Sequence, residues 1–251
     1  MARVYRDGPR TVRGIGLVLL LFACLLPAAA LAATSLQLAP TSLQLEPRQR
    51  AAELWLTNSG TSPVTLQVRM YRWIQQDGQE QLLPTDELSA SPPMQQLAAG
   101  QQQLIRVMRT LAEPPAEQRY YRMIVDQVPD LATRATGMQF VLRYSIPVFI
   151  QPVGGDALAS RLQARLTSSS DGGQAIEIHN AGDGYAQVAD LAFGSAEQPR
   201  IVHPGLLGYV LPGQTMRWPL QRKALDADSG QITAKINGDS EQTPIPSSPP
   251  H

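Results

Sequence analysis

The sequence predicts an all-β protein of two β-sandwich domains, and three observations carry that prediction. From Ser35 to Ile236, short stretches of alternating apolar and polar residues are separated by clusters of Gly, Pro, Asn and Ser, the spacing of sandwich strands and their turns. No stretch holds a convincing helical period. Gln151-Pro152-Val153-Gly154-Gly155-Asp156 then breaks the pattern, with a proline to stop a strand and two glycines to free the chain. This hinge divides a first domain, 33–151, from a second, smaller one, 156–238.

Arg3, Arg6, Arg10 and Arg13 precede the apolar run Gly14 to Leu26 and the small residues Ala28 to Ala33. That is the pattern of a secretory signal peptide, residues 1–32, cut after Ala32. Its removal takes those four arginines and Asp7 from a balanced 21 basic and 21 acidic residues, leaving 17 against 20, a net charge of −3. Such a balance does not suggest a nucleic-acid partner. Cys24, the one cysteine, leaves with the signal, so packed cores rather than disulfides must hold the exported chain together.

In the first domain the expected strands are Leu36 to Leu45, Ala51 to Asn58, Val64 to Ile74, Gln102 to Arg109, Tyr120 to Val128 and Met138 to Ile150, an immunoglobulin-like set. Asn58 to Pro63 and Gln76-Asp77-Gly78 carry turn chemistry. Leu54, Trp55 and Leu56, with Val64, Leu66, Val68 and Met70, are expected in the core, and Trp73 as a packing residue. Ser91 to Gly100 is expected as a proline-punctuated connection. The last strand is the longest: at about 3.3 Å per residue it spans over ~40 Å. Met138, Phe140, Leu142, Tyr144, Ile146, Val148 and Ile150 share one face of it. A long apolar edge invites pairing with another chain, which makes this strand the candidate binding element.

In the second domain the expected strands are Leu162 to Leu166, Ala175 to His179, Ala186 to Phe193, Met216 to Leu220 and Gln231 to Ile236. The polar, proline-rich tail 239–251 is expected to be disordered. His179 and His203 lie far apart and outside any metal-ligand motif. With no Gly-x-Ser-x-Gly, phosphate loop or paired-carboxylate motif either, the sequence supports no enzyme, cofactor, metal or small-molecule substrate.

Four motifs occur in a fixed order: Asn58 followed by Pro63-Val64-Thr65-Leu66-Gln67-Val68; Pro92-Pro93 followed by Leu97-x-x-Gly100-x-x-Gln103-x-Ile105-Arg106-Val107; Tyr121-Arg122-Met123-Ile124-Val125-Asp126-Gln127-Val128-Pro129; and the long strand. In that order they resemble the periplasmic pilus-assembly chaperones of the chaperone/usher pathway, PapD-like proteins. The form Arg143-Tyr144-Ser145-Ile146-Pro147-Val148-Phe149 looks like the archaic branch. The resemblance implies two immunoglobulin-like domains set at an angle, a periplasmic location, and two partners, pilus subunits and an outer-membrane usher. It also implies that the strand supplies Met138, Phe140, Leu142 and Tyr144 to a subunit whose own fold lacks a strand. Burying four such side chains contributes about 6 to 12 kcal/mol gross.

The family further implies a basic pair that anchors the subunit's C-terminal carboxylate. Here the matching positions fall near Ser42 and Pro147, neither of them basic. Because a carboxylate in a partly desolvated cleft needs charge-assisted donors, Arg122, Arg143 and Arg106 are the candidate substitutes. Two competing readings are a secreted pilus subunit or adhesin, expected to be an incomplete single domain, and a carbohydrate-binding module, expected to expose an aromatic platform. Trp55, Trp73 and Trp218 all sit in apolar strand contexts instead.

Overall fold

The computed structural model describes residues 36–111, 113–129, 141–154, 158–168, 173–195, 198–220 and 230–247. The signal segment, Met138, Phe140 and part of the hinge lie outside the described residues. The first sandwich contains β1 (Leu36–Ala39), β2 (Leu43–Leu45), β3 (Ala51–Asn58), β4 (Val64–Gln76), β5 (Gln79–Pro84), β6 (Leu88–Ser91), β7 (Met94–Leu97), β8 (Gln102–Arg109), β9 (Arg119–Val128) and β10 (Arg143–Ile150). One sheet has the order β1-β3-β8-β6, and the other β2-β10-β9-β4-β5 with β7 also paired to β4.

The inward residues of both sheets form the core, among them Leu45, Leu54, Leu56, Leu66, Ile105, Tyr121, Met123, Val125 and Val148. Trp55 corrects the expectation. It is 41% exposed, because period-two alternation turns it away from the face that Leu54 and Leu56 share. The expected strand Leu36 to Leu45 is two strands. β1 pairs antiparallel with β3, whereas β2 runs parallel to β10 in the opposite sheet. Pro40, with no N–H to continue the first ladder, stands where the chain leaves it. The connection Ser91 to Gly100 is also partly regular, since β7 pairs along Val64 to Gln67.

The second sandwich consists of β11 (Leu162–Ser168), β12 (Gln174–Asn180), β13 (Ala186–Ser195), β14 (Gln198–Val210), β15 (Thr215–Leu220), β16 (Gln231–Ile236) and β17 (Thr243–Ile245). Its sheets are β11-β12-β15 and β14-β13-β16-β17. β14 was not expected. Its pairing with β13 shifts register three times, and its prolines and glycines erase the alternation by which a strand is read. The tail is a further correction. Thr243 to Ile245 pairs with Ile232 to Ala234, and Ile245 is 2% exposed, so one buried isoleucine docks a stretch whose composition reads as disordered.

Both sandwiches use the same buried device at one strand end. Asn58 and Asn180 are each fully buried at the ends of β3 and β12. Asn58 donates to the carbonyls of Ser62, Leu97 and Ala98, and Asn180 to those of Gly184 and Val210. Each side-chain oxygen accepts from the backbone N–H two residues on, Gly60 or Gly182. A buried amide that satisfies loop carbonyls in this way pins the adjoining turns without leaving a polar group unpaired.

Candidate functional site

β10 is paired on one side along its whole length, from Arg143 opposite Asp126 to Ile150 opposite Arg119. On its other side β2 covers only Val148 to Ile150. The phase of the ladder follows from one bond: Gln127 N–H donates to Leu142 O at 2.9 Å, so the even-numbered residues of β10 bond to β9. The odd-numbered ones point their backbone groups the other way, and Gln151 N–H accordingly donates to Leu45 O at 2.9 Å. Arg143 and Ser145 therefore present N–H and C=O to an edge that no described strand covers. Pro147 sits in the same phase, where its missing N–H costs nothing to the β9 ladder.

Tyr144, Ile146, Val148 and Ile150 face the core of their own domain. Leu142 is half-buried. Tyr144 is half-buried too, and its hydroxyl donates to Leu36 O at 2.8 Å, so this side chain is engaged within its own sandwich.

The opposite face of the same sheet carries Arg69, Tyr71 and Trp73 from β4, Tyr120, Arg122, Ile124 and Asp126 from β9, and Arg143, Ser145, Pro147 and Phe149 from β10. Its Trp73 end meets the second sandwich. Trp73 and Phe149 pack with Tyr209 and Leu211, flanked by Tyr120 and Tyr185. Phe149 stacks on Tyr185 at 4.0 Å, and Trp73 meets Tyr209 edge-on at 5.4 Å. Burial pushes the hydroxyls of Tyr120, Tyr185 and Tyr209 to titrate higher than usual; that of Tyr120 donates to Gln118 Oε1, and that of Tyr209 accepts from Gln187 Nε2, both at 3.0 Å. Gln75, 5% exposed, donates to Tyr209 O and accepts from Leu211 N–H, both at 2.8 Å.

Arg122 lies at this junction. Its guanidinium carbon is 3.7 Å from the Trp73 ring centroid and 5.0 Å from that of Tyr209, and its side chain is 8% exposed. One terminal nitrogen donates to Glu80 Oε1 at 3.1 Å, while Nε is buried without a hydrogen-bond partner. The other two candidate arginines are not brought to it. Arg143 is 68% exposed and pairs with Asp126 at 2.5 Å, four residues along β10 from the position opposite Arg122, roughly 13 Å at 3.3 Å per residue. Asp126 is shared with Arg69. Burial opposes its ionisation, but the hydrogen bonds from Arg143 and Arg69 outweigh that and hold its carboxyl below the usual range. Arg106 is on β8 in the other sheet, 3.8 Å from Glu53 and 57% exposed, because alternation points it out from the far side of the sandwich.

Sequence reasoning gave no functional role to Gln75, Glu80, Tyr185 or Tyr209. Glu80 is one polar residue in a uniformly exposed strand, and Gln75 and Tyr209 are separated by well over a hundred positions. No local pattern marks such residues.

Residues 35–156 match the family of pili and flagellar-assembly chaperones, PapD N-terminal domain. Among solved structures, the crystal structure of the CsuC–CsuE complex of a chaperone with a tip adhesion subunit, from the archaic chaperone-usher Csu pili of Acinetobacter baumannii, is similar with a TM-score of 0.66 and 22% identity. That match covers 84% of this chain and 97% of the other. The E. coli chaperone DraB gives 0.56 and 17%, covering 86% and 97%. The Salmonella enterica SafA pilin in complex with the SafB chaperone gives 0.55 and 17%, covering 85% and 95%. At these identities the likenesses establish the two-domain fold. No curated protein matches the sequence.

Proposed function

Residues 35–156 belong to the pili and flagellar-assembly chaperones as their PapD-type N-terminal domain, and on that premise we propose that this protein is a periplasmic chaperone that stabilises pilus subunits by donating a strand and hands them to an outer-membrane usher. The observation that carries the reading is the edge of β10 from Arg143 to Pro147, which no described strand covers, beside a full ladder to β9. A subunit lacking a strand has an apolar groove and unpaired backbone groups, and an edge of this kind satisfies the latter while apolar side chains enter the former. Met138, Phe140 and Leu142 are the residues assigned to that groove. Tyr144 is the innermost of the set and also braces the edge on β1.

Arg122 is the proposed anchor for the subunit's C-terminal carboxylate. A guanidinium held against two aromatic rings is pre-ordered, so little side-chain entropy is lost when it takes an anion. The carboxylate fixes where the client chain ends, and the β10 edge then fixes its register. Both contacts are non-covalent, and the chemistry is binding alone.

Capture tests the reading. The tagged protein is co-expressed in a periplasm with the pilus subunits encoded beside it and recovered under native conditions. A one-to-one complex with a subunit is the expected result, and a chaperone that emerges alone from every pairing overturns the proposal.

A further inference from the structure

We propose that Glu80 is an internal surrogate for the client carboxylate: it occupies Arg122 in the unloaded protein and is displaced when a chain terminus arrives. The inference rests on Arg122 as the anchor and adds how that site is kept before loading.

The ion pair is asymmetric. Arg122 is fixed, 8% exposed, with Trp73 at 3.7 Å and Tyr209 at 5.0 Å. Glu80 is 38% exposed, on a strand whose residues are all exposed. The carboxylate can therefore leave while the guanidinium stays. Its placement is nonetheless built. Glu80 lies opposite Gln75 in the β4–β5 ladder, and Gln75 is clamped to Tyr209 and Leu211 of the second sandwich. The turn between the two strands is held as well, since Gly78, at φ 73°, bridges to Met216 of β15. Glu80 is thus carried to the junction by a ribbon tied down at its cross-strand partner and at its turn.

The pair is also incomplete. Glu80 meets one terminal nitrogen, and Nε remains buried with no partner. Arginine can present two parallel donors to a carboxylate, a geometry this contact does not use. A buried donor without a partner is costly, and a terminal carboxylate that bonded both nitrogens would remove that cost. Glu80 meanwhile spares Arg122 from standing unpaired in a desolvated junction, which is the more damaging state. Because every client must replace it, Glu80 sets a threshold: an anionic terminus competes, and a neutral amide does not.

The test follows the Arg122 side-chain N–H resonance in the purified protein while N-acetylglycine, a minimal chain terminus, is titrated in. N-acetylglycinamide is the neutral control. In Glu80→Gln the half-saturating concentration of N-acetylglycine is expected to fall about threefold or more, the scale of losing one partly exposed ionic competitor. An unchanged concentration overturns the surrogate role while leaving Arg122 as anchor, and a higher one shows instead that Glu80 orients the guanidinium. If the resonance moves in neither protein, or moves equally with the amide, Arg122 is not a carboxylate site and the inference falls with it. Glu80→Ala, read in the same way, separates loss of charge from the new amide contacts of glutamine.

Discussion

The guanidinium carbon of Arg122 lies 3.7 Å from the ring centroid of Trp73, so a cation of the first sandwich is held on an indole that itself packs against Tyr209 of the second. The contact makes the proposed anchor a property of the junction rather than of one strand. Arg122→Lys keeps the charge but loses the planar fork and the ring stacking. Subunit recovery on co-expression is expected to fall at least fivefold, with far-ultraviolet dichroism unchanged. Recovery at the original level would remove Arg122 from the anchor.

The edge of β10 that no described strand covers can be probed through its backbone. Ser145 N–H points away from β9, so Ser145→Pro removes a donor from the client side without breaking the ladder on the other. One net hydrogen bond is worth about 1 kcal/mol, so the complex is expected to dissociate about fivefold more readily while the free protein melts within a few degrees of the original. Calorimetry on the free form and a dissociation rate on the complex give the two readings.

On the apolar side, Leu142→Asp places a charge where the proposed client groove is driest. Capture is expected to be lost while the free protein stays folded, because Leu142 precedes β10 and is only half-buried. Retained capture, measured by native pull-down, would mean that the subunit is held by other residues.

Gln75→Ala leaves Tyr209 O and Leu211 N–H without their partner in a buried junction. A cost of about 2 kcal/mol is expected for two such groups. It should appear as a lower melting temperature and, in small-angle scattering, as a broader distribution of distances between the sandwiches.

Asp126 gives an acid-sensitive term. Its carboxyl titrates below the usual range when folded, so its stabilising contribution is fully present above the unfolded value and is lost as pH falls through the depressed folded value. Asp126→Asn is therefore expected to lower the melting temperature at pH 7, with the difference from the original protein shrinking as the pH is taken below 4. A difference that stayed constant with pH would show that Arg69 and Arg143 do not act through the charge.

The alternation of apolar residues, the turn clusters and the motif order were local signals, and they determined the two-sandwich class, most of the strands and the family. Period two alone also carries Arg122 onto the face of β9 opposite Tyr121 and Met123. It likewise turns Trp55 outward, although its apolar neighbours suggested core. Composition failed for Thr243 to Ile245, because one buried isoleucine weighs little in a polar tail yet suffices once Ile232 is beside it. Which arginine lies at the junction of the two sandwiches was decided only in three dimensions. Of Arg106, Arg122 and Arg143, the apolar neighbours of Arg122 favoured it and Arg106 came last; sheet assignment sends the first to the far side and Asp126 engages the third. Trp73, Tyr209 and Glu80 converge on the second, from β4, β14 and β5. Desolvation and ring contacts depend on what the fold places within a few ångströms, and residues so far apart along the chain carry no local pattern that records it.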